Sequence, residues 1–212
     1  MPDGTTQRPR PFRIGITGPI GCGKSTVAGW LAEAPGVVVI DADQVARDVL
    51  DRDEPALDAV MRRFGTDLML ADGSLDRAVL GRIVFSDPAA LRDLEAIVHP
   101  AVRPRILAAI AVADEGNADV VVIEAIKLVE GGLAELCDEV WLVTCDPDVQ
   151  RDRIVGRGST EDDARQRTAA QGAITERLRP AATRTIDTSS DPATTRALAE
   201  AALAELLGRH PA

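Results

Sequence analysis

Short apolar runs recur along the chain, each bounded by turn-forming residues: Phe12 to Thr17, Val37 to Ile40, Val120 to Ile123 and Val140 to Thr144. They are rich in Val and Ile and continuous rather than alternating, the pattern of strands buried on both faces of a parallel sheet. Thr185-Ile186 is a weaker fifth candidate. Segments of helical periodicity separate the runs. The predicted order is therefore β-α-β, a long interruption, then β-α-β-α, the weak fifth strand and a last helix, which is an α/β arrangement.

Helix starts are well marked. Asp87-Pro88, Asp146-Pro147 and Asp191-Pro192 each place a capping carboxylate before a proline suited to the first helical position. Thr160 with Asp163 resembles a capping box opening a helix through Gln171, and the final helix is predicted from Ala193 to Leu207, ending at Gly208. The interruption, Asp43 to Asn117, carries helical periodicity (Leu57, Val60, Met61 and Phe64, then Leu91, Leu94, Ile97 and Val98) and almost no strand signal. A right-handed crossover needs only one helix. The surplus reads either as a helical subdomain over the carboxyl ends of the strands, where open α/β sheets bind ligands, or as a packing insertion.

A chain of 212 residues suits one compact domain with an inserted subdomain. Its 45% hydrophobic content with only 2% aromatics implies an aliphatic core. The net charge of −10 argues against a nucleic acid or an anionic membrane as partner. Three cysteines, odd in number and without metal-ligand spacing, read as thiols of a reducing cytosol. No stretch reads as apolar and long enough to cross a bilayer. Residues 1–11 lack the apolar segment of a signal peptide and read as a flexible lead-in. The expectation is a cytoplasmic protein, monomeric or weakly homo-oligomeric.

Residues 18–26 read GPIGCGKST, directly after the first apolar run, and match G-x-x-x-x-G-K-[ST]. In such a loop the glycines Gly18, Gly21 and Gly23 let the backbone curl so that amides face an anion at a helix N-terminus. Lys24 then reaches the β- and γ-phosphates, Ser25 ligates Mg²⁺, and Thr26 continues the loop into the helix. The sequence thus predicts binding of a nucleoside triphosphate with Mg²⁺. Cys22 sits among the loop amides, where smallness is the requirement. A helix N-terminus lowers a thiol pKa, which would let oxidation of Cys22 block ATP binding.

Acidic and basic residues around the loop supply candidate chemistry. Asp41 and Asp43 follow the second run, and in an extended chain both carboxylates would point to one side. Asp43 is the candidate to accept the proton of an attacking hydroxyl, although surface turns also favour Asp. Glu124 follows the third run, placed either to hold Mg²⁺ or to accept from a backbone amide; Glu130 either contacts substrate or is a solvated loop acid. From Asp148 to Arg167 the chain reads DVQRDRIVGRGSTEDDARQR, with Arg153 and Arg157 at i, i+4 on one helix face. The segment reads as a lid carrying cations to the transferring phosphoryl group, or as solvent-facing charge paired with Asp152 and Glu161 to Asp163. His99 is either structural or a donor to an acceptor substrate.

Taken together, IGITGPIGCGKSTVA, VIDADQVARDVL, DGSLDRAVLGRIVFSDPAALRDLEAIVHPAV and QRDRIVGRGSTEDDARQRTAAQ resemble the dephospho-coenzyme A kinases, over about residues 12 to 190. The DAD and IVHP stretches separate this family from adenylate, shikimate and gluconate kinases. The resemblance implies a three-layer P-loop kinase fold with a five-stranded parallel sheet: core at 12–42, 118–147 and 183–208, helical acceptor subdomain at about 43–117, lid at about 148–182. It implies ATP-dependent phosphorylation of the ribose 3′-hydroxyl of dephospho-CoA. By position Asp43 would be the base, Lys24 and Ser25 the phosphate and magnesium ligands, and Arg153 the lid arginine; Arg47, Arg77 and His99 would serve the acceptor. A kinase of another small alcohol and a nucleotide-binding regulator without turnover are the alternatives. Ile126-Lys127-Leu128 stands where the family usually has a Pro-Leu-Leu-like turn. Ala182-Thr183 and Thr188-Ser189 replace its usual Ala-Asp and Asn-Gly pairs, on the adenine side of ATP.

Overall fold

The structure is a computed structural model that describes residues 9–209; the first eight residues of the predicted lead-in lie outside the described residues. In chain order the elements are β1 (Phe12–Thr17), α1 (Lys24–Ala32), β2 (Val37–Asp41), α2 (Ala42–Asp48), α3 (Pro55–Phe64), α4 (Arg77–Ser86) and α5 (Pro88–Glu115). They continue with β3 (Val120–Glu124), β4 (Glu139–Thr144), α6 (Pro147–Gly156), α7 (Glu161–Leu178), β5 (Arg184–Asp187) and α8 (Pro192–Arg209). The apolar runs form one all-parallel sheet, as predicted; its strand order is β2-β3-β1-β4-β5, with the weak fifth run as a true edge strand.

Burial follows position in that order. Every residue of β3 is buried, whereas Val38 in the edge strand β2 is 39% exposed, so the two-faced burial read from the sequence applies to the inner strands. On one face Ile14, Ile16, Val122, Trp141 and Val143 pack with Leu31 of α1 and Leu203 of α8 in one apolar cluster. On the other, Gly15 makes room for the segment after β3: a Cβ there would lie 2.5 Å from Leu128 Cδ2 and 2.9 Å from Cys137 Sγ.

All three Asp-Pro signals start helices. Asp87 accepts from the Ala89 amide at 2.8 Å, Asp146 from that of Asp148 at 2.8 Å and Asp191 from that of Thr194 at 3.0 Å. Thr160 Oγ1 accepts from the Asp163 amide at 3.2 Å, opening α7. Two helices exceed the expectation: α7 runs past Gln171 to Leu178, and α8 runs through Gly208 to Arg209. α5 runs through Pro100 and Pro104 for 28 residues. Contrary to the sequence reading, α5 is long and apolar enough, by length and composition, to cross a bilayer.

The described residues separate into two compact units, 9–40 with 111–209, and 41–110. The first holds the sheet. The second is helical; it buries Leu57, Val60, Leu80, Val84 and Ile106, and Arg105 pairs with Glu54 at 2.6 Å. Within the first unit Leu128 has no exposed surface and fills the space over Gly15. Leu128→Ala should lower unfolding free energy by about 2–5 kcal/mol, read from the urea midpoint at unchanged m-value.

Candidate active site

β1 ends at Thr17, and the loop that follows runs against the end of β4. A Cβ on Gly18, which has φ 145°, would stand 2.1 Å from the Val143 carbonyl oxygen, so only glycine fits there. Gly23 caps α1 in the left-handed region, φ 84° and ψ 23°, and opens the helix N-terminus onto the loop. Lys24 is 7% exposed, and its Nζ donates to the carbonyls of Gly18 at 3.0 Å and Pro19 at 3.2 Å. The ammonium thus lies inside the loop, held by its own main chain.

β1 and β3 pair with Ile16 opposite Glu124, which sets the Glu124 carboxylate beside the start of α1. Ser25 Oγ donates to Glu124 Oε1 at 2.6 Å, and Glu124 is 5% exposed. A hydroxyl and a buried carboxylate in contact are a hard-oxygen donor set, which fits Mg²⁺ far better than a softer metal. Among the described residues no cluster of three or more His, Cys, Asp or Glu could hold a metal by itself, and Mg²⁺ does not require one, since it keeps waters and substrate phosphates as ligands.

α6 is docked on the loop. Gln150 Nε2 donates to the Ile20 carbonyl at 2.8 Å, and a Cβ on Gly21 would meet Ile154 Cγ1 at 3.0 Å. Arg153 lies half-buried, its Nη1 donating to Thr188 Oγ1 at 2.9 Å and its Nη2 to the Thr188 carbonyl at 2.8 Å. Arg157, the exposed C-cap of α6, joins Arg153, Gly23, Thr26, Trp30 and Thr188 around a pocket of about 360 Å³. The pair at i, i+4 therefore shares one pocket beside the loop. Glu130 stands exposed in the segment after β3.

The cysteines depart from the sequence reading. Cys22 and Cys145 form a disulfide, with Cα atoms 5.2 Å apart, so Cys22 is neither a free thiol nor merely a small residue. A separation of 123 residues hides the pair in the sequence. The parallel pairing of β1 with β4, Thr17 opposite Leu142, brings the loop and Cys145 together. Cys137 is free, and burial pushes its thiol up to about 12, with Asp138 adding to the rise.

The helical unit holds the remaining predicted residues. The chain does not stay extended at 41–43: α2 begins at Ala42, because Asp41 accepts from the Gln44 amide at 2.8 Å and caps the helix. Asp43 then lies in the first turn of α2 rather than beside Asp41 on a strand edge. Arg77 Nη2 donates to the Arg47 carbonyl at 2.8 Å and to Asp51 Oδ1 at 3.1 Å, which joins the two predicted acceptor arginines. Arg47 Nη2 lies 3.7 Å from Asp41, and His99 is exposed on α5. Sequence reasoning missed Gln150, Trp30 and Cys145 as parts of this machinery. Thr188 stood out only as a departure from the resembled pattern.

The dephospho-CoA kinase family model matches residues 12–192. A dephospho-CoA kinase of Streptomyces avermitilis is 50% identical over 79% of this chain and 80% of its own. One of Moorella thermoacetica is 42% identical over 92% of both chains. Among solved structures, the dephospho-CoA kinase from Campylobacter jejuni superposes with a TM-score of 0.66 at 27% identity, covering 92% of this chain and 96% of that one.

Two outcomes follow from the cysteines. Reduction, or Cys145→Ser, should cost about 2–5 kcal/mol, a fall in Tm on the order of 10 °C, and reductant should not lower the variant further. The Cys137 thiol should resist iodoacetamide at pH 8 until the protein is unfolded. Because its folded value is raised above the ordinary 9.0, the stability that burial of the neutral thiol contributes is present below pH 9 and lost as pH rises toward about 12.

Proposed function

The chain belongs to the dephospho-CoA kinase family, and from that premise we propose that it transfers the γ-phosphoryl group of ATP to the ribose 3′-hydroxyl of dephospho-CoA, giving CoA and ADP. The observation that carries the reading is the glycine loop closed around a buried Lys24, with Ser25 on Glu124 at its rim. An arriving β,γ-phosphate pair replaces the carbonyls of Gly18 and Pro19 as partners of the Lys24 ammonium, so the cation is already desolvated where charge will develop.

Ser25 and Glu124 are the proposed holders of Mg²⁺, which when bound neutralises charge on the β- and γ-phosphates. Asp43 is the proposed base. Its carboxylate takes the proton of the 3′-hydroxyl as that oxygen bonds to the γ-phosphorus, and the β,γ-bridging oxygen leaves with ADP. Arg153 and Arg157 are proposed for the charge of the transferring group, and segment 148–182 for covering it, with α6 as the anchored base of that cover. Arg47, Arg77, His99 and Glu130 are proposed for the acceptor. Charged, water-soluble substrates support a cytoplasmic site of action.

With dephospho-CoA and Mg-ATP the purified protein should form CoA and ADP in equal amounts; ADP release without CoA would sink the reading. Asp43→Asn should reduce kcat by about 10²–10⁴ while ADP still binds, measured by calorimetry. Lys24→Ala should weaken both turnover and nucleotide binding.

A further inference from the structure

Thr188 lies on the turn between β5 and α8, at the position where the resembled family usually carries Asn. It is 4% exposed, and five contacts within hydrogen-bonding distance meet on it. Its amide donates to the Thr144 carbonyl at 2.9 Å, at the end of β4. Its Oγ1 lies 2.8 Å from the Cys22 carbonyl and 3.2 Å from that of Thr144. A hydroxyl has one proton, so it serves the nearer acceptor, Cys22, in the middle of the glycine loop. The same Oγ1 accepts from Arg153 Nη1, and the Thr188 carbonyl accepts from Nη2.

We infer that Thr188 is a positioning residue for Arg153: one side chain that fixes the guanidinium plane and the loop main chain to the same point. The relay runs from Arg153 Nη1 through Thr188 Oγ1 to the Cys22 carbonyl, so loop and arginine cannot shift independently. Two of the five guanidinium N–H donors go to Thr188, which leaves three for phosphate oxygens. A cation held in its working orientation before the nucleotide arrives loses less freedom when charge develops. The β-branch matters too. It restricts χ1, and Thr188 Cγ2 packs against the loop, 3.9 Å from where a Cβ on Gly23 would be. Serine would keep the hydroxyl with a looser aim; valine would keep the shape and lose both bonds of the oxygen.

This inference rests on the proposed nucleotide reading, and its test separates the two. Steady-state kinetics with ATP and dephospho-CoA, and titrations with ADP followed by tryptophan fluorescence (Trp30 lines the pocket), are run on Thr188→Val, Thr188→Ser, Arg153→Ala and the Arg153→Ala/Thr188→Val double variant. Thr188→Val should lower kcat by about 10-fold or more with a smaller change in KM for ATP, while Thr188→Ser stays within about threefold of the parent. In the Arg153→Ala background the valine substitution should cost several-fold less than in the parent, the remainder coming from the lost bond to the Cys22 carbonyl. An equal loss with and without Arg153, or no loss in Thr188→Val, overturns the assignment. Thr188→Ala replaces the valine variant in the cycle if valine prevents folding. If the parent binds ADP but does not phosphorylate dephospho-CoA, the acceptor reading fails. The same cycle, read in ADP affinity, still decides the role of Thr188.

Discussion

The parallel pairing of β1 with β4 is the constraint on which the nucleotide side of this protein depends. Because the two strands run together, the chain leaving Thr17 must pass directly over the Val143 carbonyl, and a side chain at residue 18 is forbidden. From that single close approach follow the curl of the loop, the inward position of Lys24, and the meeting of residues from three chain segments: Cys22, Thr144-Cys145 and Thr188. The sheet order places β1 between β3 and β4. One neighbour therefore supplies Glu124 to Ser25, and the other the anchor for the far side of the loop.

The strands and most helix starts were legible because they are local. A run such as Val120 to Ile123 can only be buried on both faces, and an aspartate before a proline caps a helix with atoms within three residues of itself. The phosphate loop was legible because its pattern lies within nine contiguous residues, although Gly18 also answers to the distant Val143 carbonyl and Gly21 to Ile154. Failures occurred where a local choice has two solutions. Asp41 is equally suited to continue an extended chain and to cap a helix, and the Gln44 amide decides for the cap. Gly208 is as acceptable inside the last turn of α8 as beyond it.

Non-local pairings were not legible at all. Cys22 and Cys145 carry no spacing signal, and their union is a product of strand order. Thr188 is a common residue in a turn, and nothing in its neighbours announces that its oxygen will sit between an arginine and a loop carbonyl. The arginine itself was found by helical spacing, yet spacing describes only which face it shares with Arg157. Its docked state comes from Gln150 and Thr188, which hold α6 to the loop.

The bridge from Cys22 to Cys145 also bears on how this loop can be approached chemically. A cysteine inside a phosphate-binding turn ordinarily invites electrophilic probes and covalent inhibitors that seek a nucleophile beside the nucleotide. Here both sulfurs are engaged with each other, and the third, Cys137, lies half-buried with its thiol held neutral against the opposite face of the sheet. A warhead directed at sulfur finds no partner in the oxidised protein, and pretreatment with a reductant becomes the step that decides whether such a compound reacts.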